Sequence, residues 1–430
     1  MSLAAELRAI SCPGCGAGLP VLGGGRVTLH VCGFCGSALD AVEGYRVLRQ
    51  FSGLRRPVSP FSIGMEGLLF GVTFRVIGTL GWREDHKARS WTWVDHLLFS
   101  PTHGYAWLTV ADGHLTYTRR IRAATSPEWL SVTEVERAES PPRVFSGTEG
   151  YTYYETTEAR ITFAEGEFTW RPMVGDRVVS VSALSDLAML TFAQGQTERE
   201  IERSVYLPGP ETLAAFGATE RLHPSGVHPL QPWHTGPNDD FMLRAAIGFM
   251  VLCVVAGLGL MTVSSSLLPG QTYSAADLPV EVPLQITRPH RLASVTVSGD
   301  VDNGWAFLEL SLSDPTDAPV FVAGREIDHY SGYDSDGSWT EGRRVTSLLF
   351  RPDTSGTYLL EIDVAEAGLG EAAGGGPVPT LTVSAQEGMA NSLWMFGAAL
   401  VFGAVALWKG SGPFLHRRAR WKGTDWTDED

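Results

Sequence analysis

The chain has 430 residues, a length that predicts two or three domains. Its apolar fraction of 44% is ordinary for a globular protein and excludes wholesale disorder. The formal net charge of −15 disfavours a protein that wraps nucleic acid, because binding to phosphates requires a basic surface. Five cysteines are too few for a disulfide scaffold of this length. Residues 264–391 alone carry a net charge of −12, which indicates that this segment has different surroundings.

Two CxxC motifs open the chain. Cys12 and Cys15 form the first motif, Cys32 and Cys35 form the second, and 16 residues separate them. This spacing is typical of a four-thiolate site, so residues 1–44 are predicted to fold as a zinc ribbon around one structural zinc ion. Iron bound by the same thiolates and two redox-active CxxC pairs are the alternatives. The segment has only two basic side chains, so nucleic-acid binding through the ribbon is not expected.

Residues 57–217 alternate apolar and polar side chains in short runs, which predicts an antiparallel β domain. Asp112-Gly113 lies between two such runs and predicts a two-residue hairpin turn. A helix is expected at Pro210–Ala218, near the end of the domain. We expect this mainly β domain to be cytosolic, for the reasons of membrane topology given below.

No catalytic residues are predicted in this region. Asp95, His96 and His103 could serve acid–base chemistry, but no GxSxG elbow or reactive-cysteine context accompanies them. We therefore expect ordinary strand residues at these positions. Glu198, Glu200 and Glu202 alternate on one strand, and we expect them to form a solvated or salt-bridged face.

Five blocks of this region resemble, in order, a bacterial family known as domain of unknown function 4178. The blocks are SIGMEGLLFGVTFRVIGTL (62–80), WTWVDHLLF (91–99), YAWLTVADGHLTY (105–117), EGEFTWRPMVGDRV (165–178) and TEREIERSVYL (197–207). Asp95 departs from the glutamate expected in the tryptophan-bearing strand. The resemblance implies a bacterial protein with zinc knuckles before the domain and membrane spans after it. It also implies an association with an envelope-stress or polyamine system, and it implies no established reaction.

Two apolar segments are predicted to cross a bilayer, at residues 241–263 and 392–408. An exposed linker, residues 219–240, precedes the first span and is rich in proline and histidine. The tail 409–430 places several Lys and Arg residues directly after the second span, so the positive-inside rule predicts a cytoplasmic C-terminus. Two spans, and an N-terminal segment with no signal peptide, then predict a cytoplasmic N-terminus and a periplasmic domain at residues 264–391.

The periplasmic domain contains seven short β runs separated by turns, which predicts a β-sandwich or jelly roll. Its run 329–342 concentrates aromatic and acidic side chains on an expected hairpin tip, and similar runs recur in the tails of proteins with the same family domain. A surface that contacts a protein partner or a sugar, a loose calcium site and a plain structural tip are the three interpretations. The candidate contact residues are Tyr330, Tyr333, Asp334, Asp336, Trp339 and Glu341.

The sequence therefore predicts an integral protein of a bacterial inner membrane, embedded in the lipid bilayer. The expected role is to bind or scaffold, linking the cytosolic zinc ribbon and β domain to the periplasmic domain and to an unknown protein partner. A membrane-tethered enzyme is the first alternative, which a carboxylate or histidine pocket would favour. A zinc-ribbon nucleic-acid binder is the second alternative.

Overall fold

The structure is a computed structural model that describes residues 8–86, 89–195, 199–335, 337–369 and 380–427. The described chain is mainly β, as the sequence predicted, with two long apolar helices. It divides into two compact units. The first comprises Met1–His234 and Ser411–Asp430, and the second comprises Thr235–Gly410.

The cysteine segment, residues 8–50, begins the first unit. Its strands β1 to β5 span, in order, Arg8–Ser11, Gly18–Val21, Leu29–Val31, Ser37–Asp40 and Val47–Gln50. β1 pairs with β2, whereas β3, β4 and β5 form an antiparallel ladder that continues the sheet of the following domain. The buried side chains of Leu29 and Val31 pack into an apolar cluster with Ile77, Leu80 and other residues of that domain.

An eight-stranded antiparallel barrel follows. Strands β6 to β16 span, in order, Glu66–Leu69, Val72–His86, Arg89–Ser100, Gly104–Ala111, His114–Arg120, Thr125–Ser126, Arg143–Ser146, Glu149–Phe168, Arg177–Leu184, Met189–Gln194 and Arg199–Leu207. The barrel order is β7, β8, β9, β10, β16, β15, β14 and β13, and β13 pairs with β7 to close the ring. The predicted hairpin is confirmed, because Asp112 and Gly113 join β9 to β10 with the positive φ angles of 48° and 78°.

The apolar side chains of the barrel strands mostly point outward, away from its interior. On one side Val94, Leu98 and Leu108 pack against Leu213 and Phe216, which lie in or just after helix α2 (Gly209–Ala215). The short helix α1 (Val132–Glu136) lies in the segment that joins β10 to β13, and α2 spans Gly209–Ala215 near the predicted position.

The joining segment covers a second outward face. Leu130, Val135 and Val144 of this segment pack on Leu190 and Phe192 of β15. The barrel wall is therefore stabilised by layers that lie outside it.

The second unit contains the two apolar helices, α3 (Asp239–Met261) and α4 (Leu393–Gly410). They pack against each other, with Phe249 stacked on Phe402 and Lys409 Nζ 2.7 Å from Asp239 Oδ1. Both helices are long and apolar enough to cross a membrane, and little of either apolar stretch is buried within the protein.

Between these helices the chain forms two antiparallel sheets. Strands β17 to β25 span, in order, Ser265–Ser274, Val280–Ile286, Leu292–Gly299, Gly304–Ser313, Pro319–Asp334, Gly337–Glu341, Val345–Phe350, Gly356–Leu369 and Thr380–Met389. One sheet has the order β17-β25-β19-β23 and the other β18-β24-β20-β21-β22. Buried residues of both sheets share one apolar cluster, which includes Val295 and Val383 from the first sheet and Leu310 and Leu360 from the second.

The C-terminal segment, residues 411–427, returns to the first unit, which the sequence did not predict. Helix α5 (Gly412–Arg420) leads to Trp421 and Trp426, whose rings contact Tyr154 and Tyr153 of β13. The Thr156 N–H donates a 2.7 Å hydrogen bond to Asp425 Oδ2. The segment is therefore part of the barrel domain.

Candidate metal centre and barrel cavity

The four predicted metal ligands lie together. The Sγ atoms of Cys12, Cys15, Cys32 and Cys35 are all within 4.8 Å of one another. The Cys12–Cys35 and Cys15–Cys32 Sγ distances are 3.7 and 3.8 Å, and none of these thiols forms a disulfide. A tetrahedral ion with metal–sulfur distances of about 2.3 Å requires Sγ–Sγ separations of roughly 3.8 Å. The cluster can therefore hold a metal ion.

The two motifs fold as repeats of one turn, which the similarity of their sequences indicated. Gly16 N–H bonds to Cys12 O at 2.8 Å, and Gly36 N–H bonds to Cys32 O at 2.9 Å. Both glycines adopt a positive φ, of 78° and 72°. A Cβ atom at Gly36 would lie 2.3 Å from the Phe51 carbonyl oxygen, so only glycine fits the second turn.

The surroundings act differently on the individual thiols. The Ser37 hydroxyl lies 3.1 Å from Cys35 Sγ and lowers the pKa of this thiol to about 6. Burial raises the pKa of the Cys32 thiol to about 12. A bound cation favours thiolates at all four positions, because metal ligation requires deprotonated cysteine.

The barrel interior and its mouth form a cavity of about 3720 Å³ that is open to solvent. This volume exceeds the roughly 300–1,000 Å³ of an ordinary ligand pocket. Inward residues recur at every second position of the strands, as on β9, where Tyr105, Trp107 and Thr109 line the cavity while Leu108 packs outside. An eight-stranded barrel is just wide enough either to be filled by side chains or to hold one small ligand, and this one is open.

One wall of the cavity is aromatic. Trp82 of β7 stacks on Trp93 of β8, with ring centroids 6.1 Å apart and an angle of 12° between the planes. Trp107 and Trp170 meet edge to face at 5.6 Å. A second wall carries hydroxyl groups, in which Thr118 Oγ1 and Ser204 Oγ are 2.7 Å apart.

Four partly buried carboxylates point into the same space: Glu84, Asp95, Glu155 and Glu202. Within the described residues none of them forms an ion pair, whereas the neighbouring Glu200 is paired with Arg120 at 2.7 Å. Asp95 accepts a 2.6 Å hydrogen bond from the Thr109 hydroxyl. In the described chain none of the four is held in an ion pair, although basic side chains such as Arg89 and Lys422 line the same cavity and Arg120 lowers the pKa of Glu202.

Burial dominates the titration of these groups. It raises the pKa of Asp95 to about 6, although the Thr109 hydroxyl and nearby indole N–H groups act in the opposite direction. Burial raises the pKa of Glu202 to about 8, and the nearby carboxylates of Glu200 and Asp95 add to the effect. The pKa of Glu155 also rises to about 8, first because of burial and then because of Asp425 and Glu84.

Of the two histidines considered for acid–base chemistry, His103 lines the cavity and His96 does not. His96 is fully buried on the outer side of β8, with Nε2 2.6 Å from Ser59 Oγ and Nδ1 3.0 Å from Thr79 Oγ1. Burial lowers the pKa of His96 to about 3, so this ring is neutral. His103 occupies the turn between β8 and β9 and is exposed.

The glutamate face that we expected to be solvated or salt-bridged is salt-bridged at Glu200, and the prediction is corrected at Glu202. Glu198 lies outside the described residues, Glu200 is paired with Arg120, and Glu202 points into the barrel. An inward-facing side chain of a barrel and a solvated side chain of an open sheet produce the same alternation. The missed signal is the recurrence of aromatic and acidic residues on one strand face, as in Trp91, Trp93 and Asp95.

The prediction of an exposed linker is wrong at residues 226–230. This stretch lines the cavity, and Leu230 is buried against Tyr154, Leu184 and Met189. The His228 ring packs 5.4 Å from the His114 ring. Leu230 is the apolar anchor that fixes the stretch to the barrel.

The C-terminal segment reaches the same cavity. Lys422, Asp425 and Trp426 are among its lining residues. The buried Arg420 donates a 3.0 Å hydrogen bond to the Ser185 carbonyl oxygen, and the Thr424 hydroxyl donates one of 2.6 Å to Tyr154 O. The chain that follows the second apolar helix thus forms part of the cavity rim.

The predicted contact residues of the second unit lie on a hairpin formed by β21 and β22, in which Gly332 pairs with Trp339. Tyr333 is 84% exposed and Trp339 is 42% exposed. Tyr330 is partly exposed, and Asp334 and Glu341 are exposed. Asp336 lies outside the described residues. The hairpin is thus brought together as expected, and its role in contact stays a prediction.

Solved structures offer only remote similarity. An insecticidal delta-endotoxin from Bacillus thuringiensis is 8% identical with a TM-score of 0.15, and the alignment covers 75% of this chain but only 54% of the endotoxin. An exo-β-1,3-galactanase from Phanerochaete chrysosporium is 8% identical with a TM-score of 0.14, over 68% of this chain and 78% of the enzyme. An infectious bursal disease virus structure is 10% identical with a TM-score of 0.13, over 85% of this chain and 72% of that one. No curated protein matches the sequence.

A protein family does match. The sequence profile of the family described as "Domain of unknown function (DUF4178)" matches residues 62–209, which contain the five blocks that carried the resemblance. The matched range runs from the residues just before β6 through β16 and so includes every strand of the barrel. The predicted family is thus confirmed for residues 62–209, the part of the chain that forms the barrel.

Proposed function

We propose that the chain is an integral inner-membrane binding protein of bacteria. Its cytosolic barrel and cysteine segment take up a small ligand and are linked by two spans to a periplasmic domain of two sheets. One observation carries the proposal: the barrel has an open cavity, and the segment that follows α4 belongs to the same compact unit and lines that cavity. The envelope-stress or polyamine association that the family resemblance implies is part of the same proposal.

The position of the C-terminal segment supports the proposed topology. Residues before α3 and residues after α4 belong to the same unit, so both must lie on one side of a membrane that the two helices cross. Lys409, Arg417 and Arg418 follow or end the second apolar helix, and such clusters favour the cytoplasmic side. This arrangement supports our proposal that residues 264–391 are periplasmic.

The ion in the cysteine cluster is structural zinc in this proposal. Four thiolates fill a tetrahedral shell and leave no open position for a substrate. Cys12 and Cys32 are buried, and the cluster packs beside the small core formed by Leu19 and Leu39. This core is small, so metal binding supplies much of the folding energy of the turns that carry the cysteines, while β3 is also held by its pairing with β13.

The hairpin tip of β21 and β22 is the proposed contact surface for a protein partner in the periplasm. Tyr333 and Trp339 lie outside the apolar cluster shared by the two sheets. Large exposed rings beside carboxylates suit recognition, because aromatic side chains bury much area with few rotatable bonds.

Acid–base catalysis in the cavity is a second candidate function. Asp95 and Glu202 have pKa values raised to about 6 and 8, chiefly by burial, and carboxylates with such values serve as acids or bases near neutral pH. Turnover of a captured ligand, lost in Asp95→Asn and Glu202→Gln, would distinguish this candidate from simple binding.

Hydrogen–deuterium exchange of the full chain in maltoside micelles tests ligand binding. The probe is the bacterial metabolite fraction below 1 kDa. We expect slower exchange in β8, β16 and the C-terminal segment, because all three line the cavity.

Thr157→Trp places a bulky ring inside the cavity and should reduce the protection. Glu158→Trp, at the next position on β13, is exposed on the opposite face and should retain it. Absence of protection in the unaltered protein, or equal protection in both variants, would refute ligand binding in the barrel.

A further inference from the structure

Helix α5 has one side that packs on its own unit and one side that is free. The packed residues recur every three or four positions and are Gly412, His416, Ala419 and Arg420. The His416 and Trp233 rings lie 5.4 Å apart, and Arg420 donates a 3.0 Å hydrogen bond to Ser185 O. A Cβ atom at Gly412 would lie 2.6 Å from the Trp233 indole, so the absence of a side chain lets the ring rest on the helix. These contacts fix the rotation of α5 about its axis.

The free side carries apolar residues first and basic residues after them. Phe414 and Leu415 are 68% and 54% exposed. Arg417 and Arg418 follow about one turn later, and both are exposed. Neither arginine belongs to an ion pair of the described chain. The free side therefore combines an uncovered apolar surface with two positive charges.

The position of α5 in the sequence brings its free side to the bilayer in the proposed topology. The second apolar helix, α4, ends at Gly410, and Ser411 alone separates it from α5. At about 1.5 Å per helical residue, Phe414 and Leu415 lie within roughly 8 Å of that end, whatever the angle between the helices. The headgroup layer of a bilayer is about 5–7 Å thick on each side. The apolar pair therefore lies at the level of the lipid headgroups.

A lipid surface of negative charge suits this order of side chains. Amphipathic helices at membrane surfaces bury aromatic and aliphatic residues at the boundary between headgroups and acyl chains. Tryptophan is enriched at the same level, and Trp233, which rests on the first turn of α5, is 41% exposed. Long basic side chains reach lipid phosphates from one turn further, and guanidinium groups bind phosphate in a bidentate manner. The nearby Asp186 acts on Arg420, which lies on the packed side of the helix.

We propose that α5 and Trp233 form a binding surface for anionic phospholipids. Phe414, Leu415 and Trp233 enter the boundary between headgroups and acyl chains, and Arg417 and Arg418 bind the lipid phosphates. The inference goes beyond ligand binding in the barrel and rests on the proposed function only for the span α4. Because the end of α5 and the residues after it line the barrel cavity, a lipid-bound α5 also holds part of the cavity rim close to the bilayer.

Native mass spectrometry of the full chain tests the proposal. The protein is released from maltoside micelles that contain equal amounts of phosphatidylglycerol and phosphatidylcholine, and we expect it to retain phosphatidylglycerol preferentially. Replacing Arg417 and Arg418 together by glutamine should weaken phosphatidylglycerol binding at least about fivefold, the effect of one basic side chain near an anionic surface.

A matched control removes the same charge elsewhere. Arg137 and Arg221 are exposed, lie outside α5 and do not line the cavity, so their joint replacement by glutamine should leave the lipid preference unchanged. Equal losses in the two double variants, or no loss in either, would overturn the proposal.

Two further measurements test the apolar contribution. Replacing Phe414 and Leu415 together by serine should weaken phosphatidylglycerol binding without changing the thermal unfolding of the barrel, because both side chains are exposed. Glycerol phosphate offers the phosphate without acyl chains and should not compete. Competition by glycerol phosphate would assign the surface to free phosphate. A dimer of the unaltered chain that dissociates in the serine variant would place a second copy on this side of α5. Either result would overturn lipid binding.

The spans are tested separately by alkaline carbonate extraction of bacterial membranes that contain the chain. Release of the unaltered chain refutes the proposed spans. Resistance to extraction without any preference for phosphatidylglycerol refutes the lipid-binding surface of α5 and leaves the spans intact.

Discussion

Replacing Glu202 by glutamine should stabilise the barrel, and the gain should grow with pH. Burial raises the pKa of Glu202 to about 8, against an ordinary value of 4.5. Between these pH values the folded state retains a proton that the unfolded state releases. Stability therefore falls as the pH rises through this window, and Glu202 is most destabilising above pH 8. Glutamine cannot ionise and is free of this cost.

The magnitude follows from the size of the pKa change. One pKa unit corresponds to about 1.4 kcal/mol, so full expression of the shift sets an upper limit of roughly 5 kcal/mol. Glu202 is only partly buried and faces a cavity large enough for water, which reduces the cost. We expect a gain of about 1–2 kcal/mol at pH 8.5 and nearly none at pH 4.5, or roughly 3–6 °C in Tm for a domain of this size.

Thermal unfolding of the full chain in maltoside micelles, followed by tryptophan fluorescence, measures this gain. Hydrogen exchange of β16 assigns the transition to the barrel. Glu128→Gln, at an exposed position outside the cavity, should change the Tm little at either pH. The reasoning is refuted if Glu202→Gln is no more stable than the unaltered protein at pH 8.5, or if its gain is as large at pH 4.5.

Three further predictions concern the rest of the chain. The purified protein should contain about one zinc per chain by elemental analysis, and Cys32→Ser should reduce this below half an equivalent and expose the cysteine segment to proteolysis; a full metal content in the variant would contradict the ligand set. Reporter fusions at residue 430 should be active in the cytoplasm and fusions within 264–391 in the periplasm, whereas a periplasmic signal at residue 430 would reverse the topology. Replacing Tyr333 and Trp339 by alanine should alter unfolding of the two-sheet domain by less than about 1 kcal/mol while abolishing partner capture; a loss of several kcal/mol would place the rings in a core.

Local signals in the sequence were sufficient for some features. The CxxC repeats predicted a four-cysteine cluster because each motif needs only a short turn and one left-handed glycine. Asp112-Gly113 predicted its hairpin because few residues adopt the two positive φ angles that the turn requires. The two apolar helices could be predicted because their composition alone distinguishes them from the rest of the chain. Their observed ends differ from the predicted ends by one or two residues.

Closure of the barrel could not be predicted in the same way. It depends on the pairing of Ile161–Gly166 of β13 with Gly78–Trp82 of β7, two stretches about 80 residues apart. Alternation shows that a strand has two different faces but does not say which of them is enclosed. The packing of the C-terminal segment on the barrel was also not predicted. Its basic residues are accounted for by the positive-inside rule, which requires no contact with the barrel. Only Trp421 and Trp426 indicate that the segment packs against another part of the chain.

The placement of the apolar clusters explains how the interior can hold unpaired charge. Some barrels of this size are stabilised by side chains that fill the interior. Here Leu98, Leu108 and Phe192 instead pack outside the strands, beneath α2 and the joining segment. The side chains inside the barrel therefore do not have to form an apolar core. The interior can hold carboxylates that lower the stability of the fold, a cost that binding sites commonly carry. The covering elements are thus needed for the cavity, because their removal would expose the apolar outer faces without providing a core inside.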